Sequence, residues 1–487
     1  MPLIHNDSFL AESCFVPLAA VLPLPRRSTF ELFECLVGND RCPVLLESGR
    51  MAEGGQRYSI IASNPSHVFQ ASGQRLAWRE RDGRSIVCQG DPISAFRALV
   101  NRMMLPRPPG FPPFFGGAIG YLGYDFAHAF EQLPHRAPDD LGLPDLQLAF
   151  YDLVAVIDHQ KELLWLVFTP WKERFLKKSR QALQAEGIAR LAELKGRLIT
   201  GSPTVPEPRG YAPLRITAGQ TEKEYIKRVQ RCLEYIGAGD IYQANLAHRF
   251  EIDLGGRSAR SIYQKLRHIN PSPFASLLEL PDVTLIGCSP ERLVRVAESE
   301  VDTRPIAGTR PRGTTPDEDE RLAAELLLNE KERAEHLMLV DLERNDLGRV
   351  CTYGSVHVND FMVLEQYSHV SHIVSNVRGR LAPGRDALDV IQAVFPGGTV
   401  TGVPKLRCME ILDELEPVRR GPYSGSVGYI SASGDLDLNI TIRTLVVKEG
   451  RAYLHVGAGI VADSAPAREY EETLFKAEAL LKALRES

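Results

Sequence analysis

The chain has 487 residues, with 57 lysines and arginines against 62 aspartates and glutamates, which gives a net charge of −5. A hydrophobic fraction of 44% and a charged fraction of 24% are typical of a soluble globular protein. They exclude intrinsic disorder, a collagen-like fibre and a disulfide-stapled secreted scaffold. Because the charge is nearly balanced, we expect no broad surface for nucleic acid or anionic membranes, and an anionic ligand would need a local positive pocket.

Cysteine spacing and the N-terminal charge order indicate the compartment. The eight cysteines form no Cys-x-x-Cys pair, which argues against zinc or thioredoxin-type chemistry and favours reduced, buried thiols. The apolar run at 15–25 follows acidic residues and precedes Arg26 and Arg27, the reverse of a secretory signal. No stretch approaches the roughly 18 apolar residues of a membrane helix. We therefore expect a cytoplasmic protein without a membrane span.

The first part of the chain predicts short strands separated by turns. A Pro- and Phe-rich segment at 106–117 predicts a rigid loop, and a polar helix is predicted over Lys172–Leu198. Segment 200–213 is dense in glycine and proline and is the best linker candidate. We therefore predict an N-terminal region at residues 1–200 and a second domain at residues 217–487.

The second region opens with a capping box, Thr221-Glu222-Lys223-Glu224, which predicts a helix that ends near Gly237 and Gly239. A strand is predicted over Ile241–Leu254, and further helices over Asp317–Val340 and Pro466–Leu484. Strands and helices follow one another without a regular βαβ rhythm. The predicted fold class is therefore α+β, with large antiparallel β-sheets and flanking helices.

Two carboxylate doublets lie on predicted helices. Glu332 and Glu335 are three residues apart on one helix, and Glu469 and Glu472 are three apart on the last. Residues at this spacing share a helix face, so four carboxylates could meet and bind a hard cation such as Mg²⁺. Taken alone, the same spacing is more typical of a solvated helix face.

Two glycine-rich segments resemble anion-binding loops only superficially. The segment 396–405 lacks the Gly-Lys-Ser/Thr ending of a nucleotide loop, and Pro404 removes an amide donor. Gly457-Ala458-Gly459 follows an apolar strand and could let backbone amides approach an anion. Taken alone, it favours a tight bend. No Gly-x-Ser-x-Gly elbow or comparable cysteine nucleophile occurs.

The C-terminal half carries a series of longer motifs in a fixed order. They are Ser289-Pro290-Glu291-Arg292, Pro305-Ile306-Ala307-Gly308-Thr309-Arg310, Ala334-Glu335-His336, the run from Asp341 to Arg349, the run from Pro396 to Lys405, Ile442-Arg443-Thr444 and the run from Gly457 to Ser464. Together they resemble the chorismate-utilising family of anthranilate synthase and aminodeoxychorismate synthase large subunits. The resemblance is strong from about Thr221 to Leu484 and weaker in the N-terminal half.

The resemblance implies a metal site and a substrate site. The Mg²⁺ ligands implied are Glu332, Glu335, Glu469 and Glu472. The substrate-binding residues implied are Tyr423, Arg443, Gly457, Ala458 and Gly459 for the enolpyruvyl carboxylate of chorismate, with Lys476 near the ring carboxylate. An arginine fork and backbone amides suit a carboxylate ligand.

Catalytic roles also follow from the resemblance. Glu291 would protonate the leaving hydroxyl, and His372 would serve pyruvate elimination. Gln243 stands where water-adding relatives carry a lysine base, which sets isochorismate chemistry aside. Ala307, in the motif that includes Thr309, stands where aminodeoxychorismate synthases usually carry a lysine nucleophile. A methyl group cannot attack the ring, so the resemblance implies direct ammonia addition at C2, which is anthranilate chemistry.

Two other functions remain open. The segments 243–246, 270–276 and 437–440 look more like aminodeoxychorismate synthase, which releases a non-aromatic 4-amino product. The chain could also be an inactive homologue that binds tryptophan. With no glutaminase motif in the sequence, the resemblance implies a separate glutamine amidotransferase subunit as the ammonia source.

A regulatory site is implied in the same way. Leu45-Leu46-Glu47-Ser48 matches the tryptophan-binding motif of regulated anthranilate synthases. The regulatory residues implied are Leu46, Glu47, Ser48, Pro271 and Ser272. Phe274-Ala275 stands where the regulated enzymes usually have Tyr-Met, so we expect weak inhibition by tryptophan.

Overall fold

The computed structural model describes residues 16–48, 57–201, 211–366 and 370–487. In these ranges the chain forms twenty-four strands, eleven α-helices and two short 3₁₀-helices, at Tyr124–Ala129 and Gly398–Val400. The strands are β1 Leu18–Pro23, β2 Val44–Glu47, β3 Tyr58–Ala62, β4 His67–Ser72, β5 Arg75–Glu80, β6 Ser85–Gln89, β7 Gly117–Leu122, β8 Leu146–Tyr151, β9 Leu153–Asp158, β10 Leu163–Phe168, β11 Arg215–Ala218, β12 Gln243–Asp253, β13 Phe274–Glu279, β14 Thr284–Ser289, β15 Arg292–Ala297, β16 Glu300–Arg304, β17 Ile306–Pro311, β18 His357–Gln366, β19 Val370–Arg380, β20 Gly402–Val403, β21 Ser426–Ser431, β22 Leu436–Asn439, β23 Thr444–Lys448 and β24 Arg451–Ile460. The helices are α1 Thr29–Val37, α2 Pro92–Met103, α3 Lys172–Lys177, α4 Arg180–Thr200, α5 Glu222–Gly237, α6 Ala259–Ile269, α7 Pro316–Leu328, α8 Glu330–Gly348, α9 Ala387–Val394, α10 Lys405–Leu415 and α11 Pro466–Glu486.

Two twelve-stranded antiparallel sheets organise the molecule. The first runs β1-β10-β9-β3-β2-β13-β14-β23-β24-β12-β11, with β20 paired to β12. The second runs β17-β19-β16-β15-β22-β21-β7-β8-β4-β5-β6, with β18 paired to β19. The α+β fold class with large antiparallel sheets is confirmed.

Each sheet joins a block of strands from the first half of the sequence to a block from the second half. Leu45 of β2 pairs with Leu277 of β13, and Gly120 of β7 pairs with Gly428 of β21. The division at residues 200–217 therefore separates segments of sequence whose strands share sheets. It stays a prediction as a domain boundary, and residues 202–210 of the expected linker lie outside the described ranges.

The two sheets pack face to face, and helices cover their outer faces. Ile60 and Val156 of the first sheet meet Ile119 and Tyr121 of the second in one apolar cluster. Helices α1, α4, α6 and α11 cover the first sheet, and α2, α8 and α9 cover the second. None of the helices within the described ranges combines the length and apolar character needed to cross a bilayer.

Local signals confirm some predicted elements. Thr221 accepts from the N–H of Glu224, whose side chain accepts from the N–H of Thr221, so the predicted capping box is formed and α5 follows it. Strand β12 and helix α11 also lie where they were predicted.

Three local predictions were wrong. The helix expected over 172–198 breaks at Lys178, where Ser179 caps a new helix. The helix expected over 317–340 breaks at Asn329, which caps α8 by accepting from the N–H of Glu332. Gly457-Ala458-Gly459 lies inside β24 instead of forming a bend, because β12 pairs with every residue of this segment. In the helices, short polar side chains that bond the backbone outweighed the helical pattern.

Candidate active site

Glu291 is a buried carboxyl group between β14 and β15. Its side chain is 5% exposed, and the N–H of Ile306 donates to its Oε1 at 3.4 Å. Burial raises its pKa to about 7, although the Thr399 hydroxyl, the Ile306 N–H and the Arg443 charge all act to lower it. Near neutral pH, Glu291 can therefore still carry the proton that a general acid must donate.

His372 lies beside the strand that carries Ala307. Strand β17 pairs with β19 so that Ala307 is opposite Ile373 and Thr309 is opposite His372. The His372 ring is buried, and its Nδ1 lies 3.2 Å from the carbonyl oxygen of Gly308. Burial, reinforced by the Arg443 charge, lowers its pKa to about 4. Donation from Nδ1 leaves Nε2 as the basic nitrogen of a neutral imidazole. The side chain of Thr309 lies outside the described part of the structure.

Arg443 supplies positive charge to the same region. Its φ of +49° is a left-handed backbone conformation, which costs a non-glycine residue about 1–2 kcal/mol. Its charge acts on the pKa values of both Glu291 and His372. Within the described part of the chain, no hydrogen bond or ion pair engages its guanidinium group, which is therefore available to an anionic ligand. We call Glu291, His372 and Arg443 the acid corner.

Gly457, Ala458 and Gly459 lie in β24 of the first sheet, and we call this segment the glycine cradle. A Cβ atom at Gly457 would lie 2.5 Å from Asn245 Oδ1 and 2.7 Å from the Tyr423 hydroxyl. Tyr423 is 6% exposed and stacks on His455 at 5.2 Å, and burial raises its pKa to about 12. Its hydroxyl therefore remains a donor. Ala458 packs its methyl group into the apolar cluster of α5 and α10 on the opposite face of β24.

Lys476 connects the glycine cradle to helix α11. Its Nζ donates to the carbonyl oxygen of Gly457 at 2.9 Å and pairs with Glu472 at 2.7 Å. The carbonyl contact fixes a positive charge directly beside the cradle. This placement suits the stabilisation of an anion bound there.

The four predicted metal-binding glutamates form a second acidic group, which we call the carboxylate rim: Glu332 and Glu335 on α8, Glu469 and Glu472 on α11. Burial raises the pKa of Glu335, and the charges of the other three act in the same direction. A Cβ atom at Gly308 would lie 3.0 Å from Glu332 Oε2. The rim is therefore electrostatically coupled across the two helices and adjoins the strand that carries Ala307.

Basic side chains partly balance the rim. Arg310 lies 3.2 Å from Glu332, and Lys331 lies 3.9 Å from Glu335. Across residues 16–48, 57–201, 211–366 and 370–487, no three His, Cys, Asp or Glu side chains are close enough together to hold a metal ion. The donor set nevertheless fits Mg²⁺, because it consists of carboxylates whose mutual repulsion a bound dication would relieve. The assignment of these four ligands stays a prediction.

Comparison with known proteins decides the family. Residues 44–482 match the family model described as chorismate binding enzyme. The chain belongs to this family.

Two curated members of the family carry different names. Anthranilate synthase component 1 of Thermus thermophilus is 48% identical over 457 residues, covering 91% of this chain and 93% of that protein. Aminodeoxychorismate synthase component 1 of Bacillus subtilis is 44% identical over 474 residues, covering 96% and 97%. High similarity alone therefore does not separate the two activities.

One solved structure has the same fold as the present chain. The crystal structure of anthranilate synthase component I from Streptococcus pneumoniae is 36% identical to the chain. It superposes with a TM-score of 0.77 and covers 87% of this chain and 92% of that one. The similarity in sequence and fold extends over most of both chains.

In the present protein, a cavity of 540 Å³ opens between the two sheets. None of the four rim glutamates lines it. Leu46 and Glu47 line it together with Phe274 and Ala275. The Glu47 carboxylate accepts from the Tyr263 hydroxyl at 2.7 Å and from Arg267 at 2.9 Å, so its charge is already balanced.

The other predicted regulatory residues adjoin this cavity in the chain. Ser48 follows Glu47, and its N–H donates to the Ser59 hydroxyl at 3.0 Å. Pro271 and Ser272 precede Pro273, which lines the cavity. The Ser272 hydroxyl donates to the carbonyl oxygen of Ser289, at the end of the strand that leads to Glu291.

Three side chains near the site were missed from the sequence. Thr399 contacts Glu291. It was missed because its glycine-rich segment, 396–405, was considered only as a nucleotide-binding loop, which its sequence excludes. Asn245 lies two residues after Gln243 on the same strand face, a period-2 signal that could have identified it. Glu343 is buried, and burial together with Asp346 raises its pKa to about 8. Its only sequence signal was its place in the motif 341–349.

Proposed function

We propose that the chain is the large subunit of an anthranilate synthase, which converts chorismate and ammonia to anthranilate and pyruvate. The observation that carries the proposal is the acid corner, in which the charge of a guanidinium without a partner among the described residues acts on a buried, protonatable carboxyl and on a buried, neutral imidazole. Family membership and the relatives named anthranilate synthase component 1 support it.

Substrate binding follows from the charges. Chorismate is a dianion and the protein is net acidic, so the local positive groups must supply the attraction. Arg443, Tyr423 and the amides of Gly457–Gly459 would hold the enolpyruvyl carboxylate, and Lys476 would stabilise negative charge at the ring carboxylate. Glu332, Glu335, Glu469 and Glu472 would hold Mg²⁺, which when bound neutralises the ring carboxylate.

The first chemical step substitutes nitrogen for oxygen on the ring. Ammonia forms a bond to C2, the ring double bonds shift, and the C4–O bond breaks. Glu291 gives its proton to the departing oxygen, which leaves as water. The new ammonium group loses one proton to solvent, from which the Glu291 carboxyl is protonated again. Hydroxide is a poor leaving group, so a carboxyl with a pKa of about 7 suits this role.

The second step makes the ring aromatic. His372 Nε2 takes the proton from C2, the C3–O bond breaks, and the enolpyruvyl group leaves as enolpyruvate. Enolpyruvate takes up one proton at carbon to become pyruvate, and His372 returns its proton to solvent. A buried imidazole that is neutral above a pKa of about 4 is ready to accept this proton at neutral pH.

Ala307 distinguishes the proposed activity from its sister activity. A methyl group offers no nucleophile for a covalent bond to the ring, so ammonia adds directly at C2. Aminodeoxychorismate synthase is the second candidate, because the relative from Bacillus subtilis with that name is 44% identical over 474 residues. A third candidate, an inactive tryptophan-binding homologue, conflicts with the complete acid corner.

Product analysis tests the proposal. The purified chain is incubated with chorismate, Mg²⁺ and ammonium at raised pH, where more of the nitrogen is ammonia. Fluorescent anthranilate with equimolar pyruvate is expected. A product that becomes 4-aminobenzoate only after a lyase is added would identify the sister activity, and unreacted chorismate would identify an inactive homologue. We also expect that a separate glutamine amidotransferase subunit, when added, allows glutamine to serve as the nitrogen source in place of ammonium.

A further inference from the structure

Two amide oxygens at the start of β12 lack hydrogen-bond donors among the described residues. Gln243 and Asn245 are two residues apart, so their side chains project from the same face of the strand. Gln243 Oε1 and Asn245 Oδ1 are both buried, and within the described part of the chain neither has a hydrogen-bond partner. Gln243 as a whole is only 9% exposed. Buried acceptors are nearly always paired in native proteins, so two neighbouring exceptions indicate a ligand that donates.

The side-chain amides of Gln243 and Asn245 lie beside the glycine cradle. A Cβ at Gly457 would come within 2.5 Å of Asn245 Oδ1, and a Cβ at Gly459 within 2.9 Å of Gln243 Nε2. The amides are therefore next to the segment that we assign to the substrate. The preceding side chain, Tyr242, is 70% exposed, so the chain reaches the protein surface one residue before Gln243.

The two amide oxygens favour a small, neutral molecule that donates hydrogen bonds. Chorismate carries two carboxylates, which are acceptors and would be repelled by amide oxygens, and its one hydroxyl is the leaving group that the proposed function assigns to Glu291. Ammonia has three N–H donors, and two of them can bond Gln243 and Asn245 while its lone pair faces the ring. The Lys476 ammonium group, 2.9 Å from the Gly457 carbonyl oxygen, disfavours a second cation and so favours ammonia over the ammonium ion.

We propose that Gln243 and Asn245 together form the binding site of the ammonia nucleophile. The inference rests on the proposed function and deepens it, because it locates the second substrate. It also gives Gln243 a role other than that of the lysine base in water-adding relatives.

Steady-state kinetics with ammonium chloride as the nitrogen source test this site. Gln243→Met and Asn245→Leu remove the acceptors with little change in volume. We expect the KM for ammonia to rise at least tenfold in each variant, whereas kcat and the KM for chorismate stay within about twofold. Gln147→Met is the matched control: Gln147 is a buried glutamine of β8 without a side-chain partner in the described structure, but it lies between β7 and β4 in the other sheet. Both KM values should be unchanged in this control.

Asn245→Asp keeps the acceptor and adds negative charge, so it remains informative if Asn245→Leu does not fold. Because the introduced carboxylate attracts the ammonium ion, the KM for total ammonia should fall less steeply with rising pH than in the wild type. An unchanged pH dependence overturns the site.

The remaining outcomes separate this inference from the proposed function. A raised KM for chorismate with an unchanged KM for ammonia overturns the inference, because the oxygens would then bind the substrate hydroxyl. Unchanged values for both substrates in the folded Leu and Met variants overturn it as well. If the wild type makes no aminated product at all, the proposed function fails before the site is tested.

Discussion

The acid corner and the carboxylate rim both contain glutamates, but their carboxylates differ in burial and in charged partners. Glu291 is buried, and its pKa rises to about 7 although the Arg443 charge acts to lower it. The rim glutamates Glu332 and Glu472 are partly exposed and paired with Arg310 and Lys476. Burial keeps a proton available at Glu291. In the rim, burial also raises the pKa of Glu335 and Glu469, but basic side chains pair with the other two glutamates.

This difference suits the separate roles proposed for the two groups, which both adjoin Gly308 of β17. Groups that move protons need pKa values near the working pH, and groups that bind a cation must be ionised. On the proposed roles, the same residue type would serve both purposes because its surroundings differ.

The largest effect is expected from removing the proton donor in the corner. Glu291→Gln keeps the shape and abolishes the acid, so kcat should fall by roughly 10²–10⁴-fold while the KM for chorismate changes little. Stopped-flow or steady-state assays of anthranilate formation measure this. A variant with more than a tenth of wild-type kcat would show that Glu291 is not the acid.

A large effect on metal dependence is expected from the rim. Glu335→Gln removes one predicted ligand, so the Mg²⁺ concentration for half-maximal rate should rise by about 10–100-fold or activity should be lost. Glu471→Gln, an exposed neighbour on α11, is the control and should match the wild type. Equal Mg²⁺ dependence in all three proteins would contradict the metal assignment.

A moderate effect on stability is expected from the buried carboxyls. Burial raises the pKa of Glu343 to about 8 and that of Glu291 to about 7. Since the folded state holds these protons more tightly than the unfolded chain does, the free energy of unfolding should decline as pH rises from about 5 to about 8.

Glu343→Gln isolates this pH effect. The variant has no proton to lose at residue 343, so its melting temperature should decline less over that interval than that of the wild type. Glu193→Gln, at an exposed position of α4, should follow the wild type. If the melting temperatures of all three proteins decline equally over this pH interval, Glu343 does not retain its proton.

The smallest effect is expected at the cavity between the sheets. Phe274 lies under the Arg292 guanidinium group at 5.4 Å and forms part of the wall together with Ala275. We expect calorimetry with tryptophan to give little heat at micromolar concentrations and inhibition to be weak. Tight tryptophan binding would refute the prediction that the altered wall impairs this site.

The sequence predicted elements whose cause is local. The capping box at Thr221 and the terminal helix depend on contacts within a few residues, so their patterns were sufficient. Asn329 shows the limit, since its side chain caps α8 and interrupts a run that otherwise reads as one helix. A single polar side chain decided between two structures that share the same apolar pattern.

Features that depend on distant partners could not be predicted from local patterns. Gly457 and Gly459 lie within a strand because β12, which lies far earlier in the chain, pairs with them. The pairing of Leu45 with Leu277 depends in the same way on the tertiary fold. The roles of Glu291 and His372 came from motif resemblance, whereas their shifted pKa values required the burial that only the structure gives.

The position of nitrogen on the ring tests the central claim most directly. Chorismate is turned over by the purified chain with ¹⁵N-labelled ammonium and Mg²⁺, and the product is examined by NMR. With only a methyl group at Ala307, we predict nitrogen on the carbon beside the ring carboxylate and one pyruvate released per ring. Nitrogen opposite the carboxylate, with the enolpyruvyl group retained, would contradict the account.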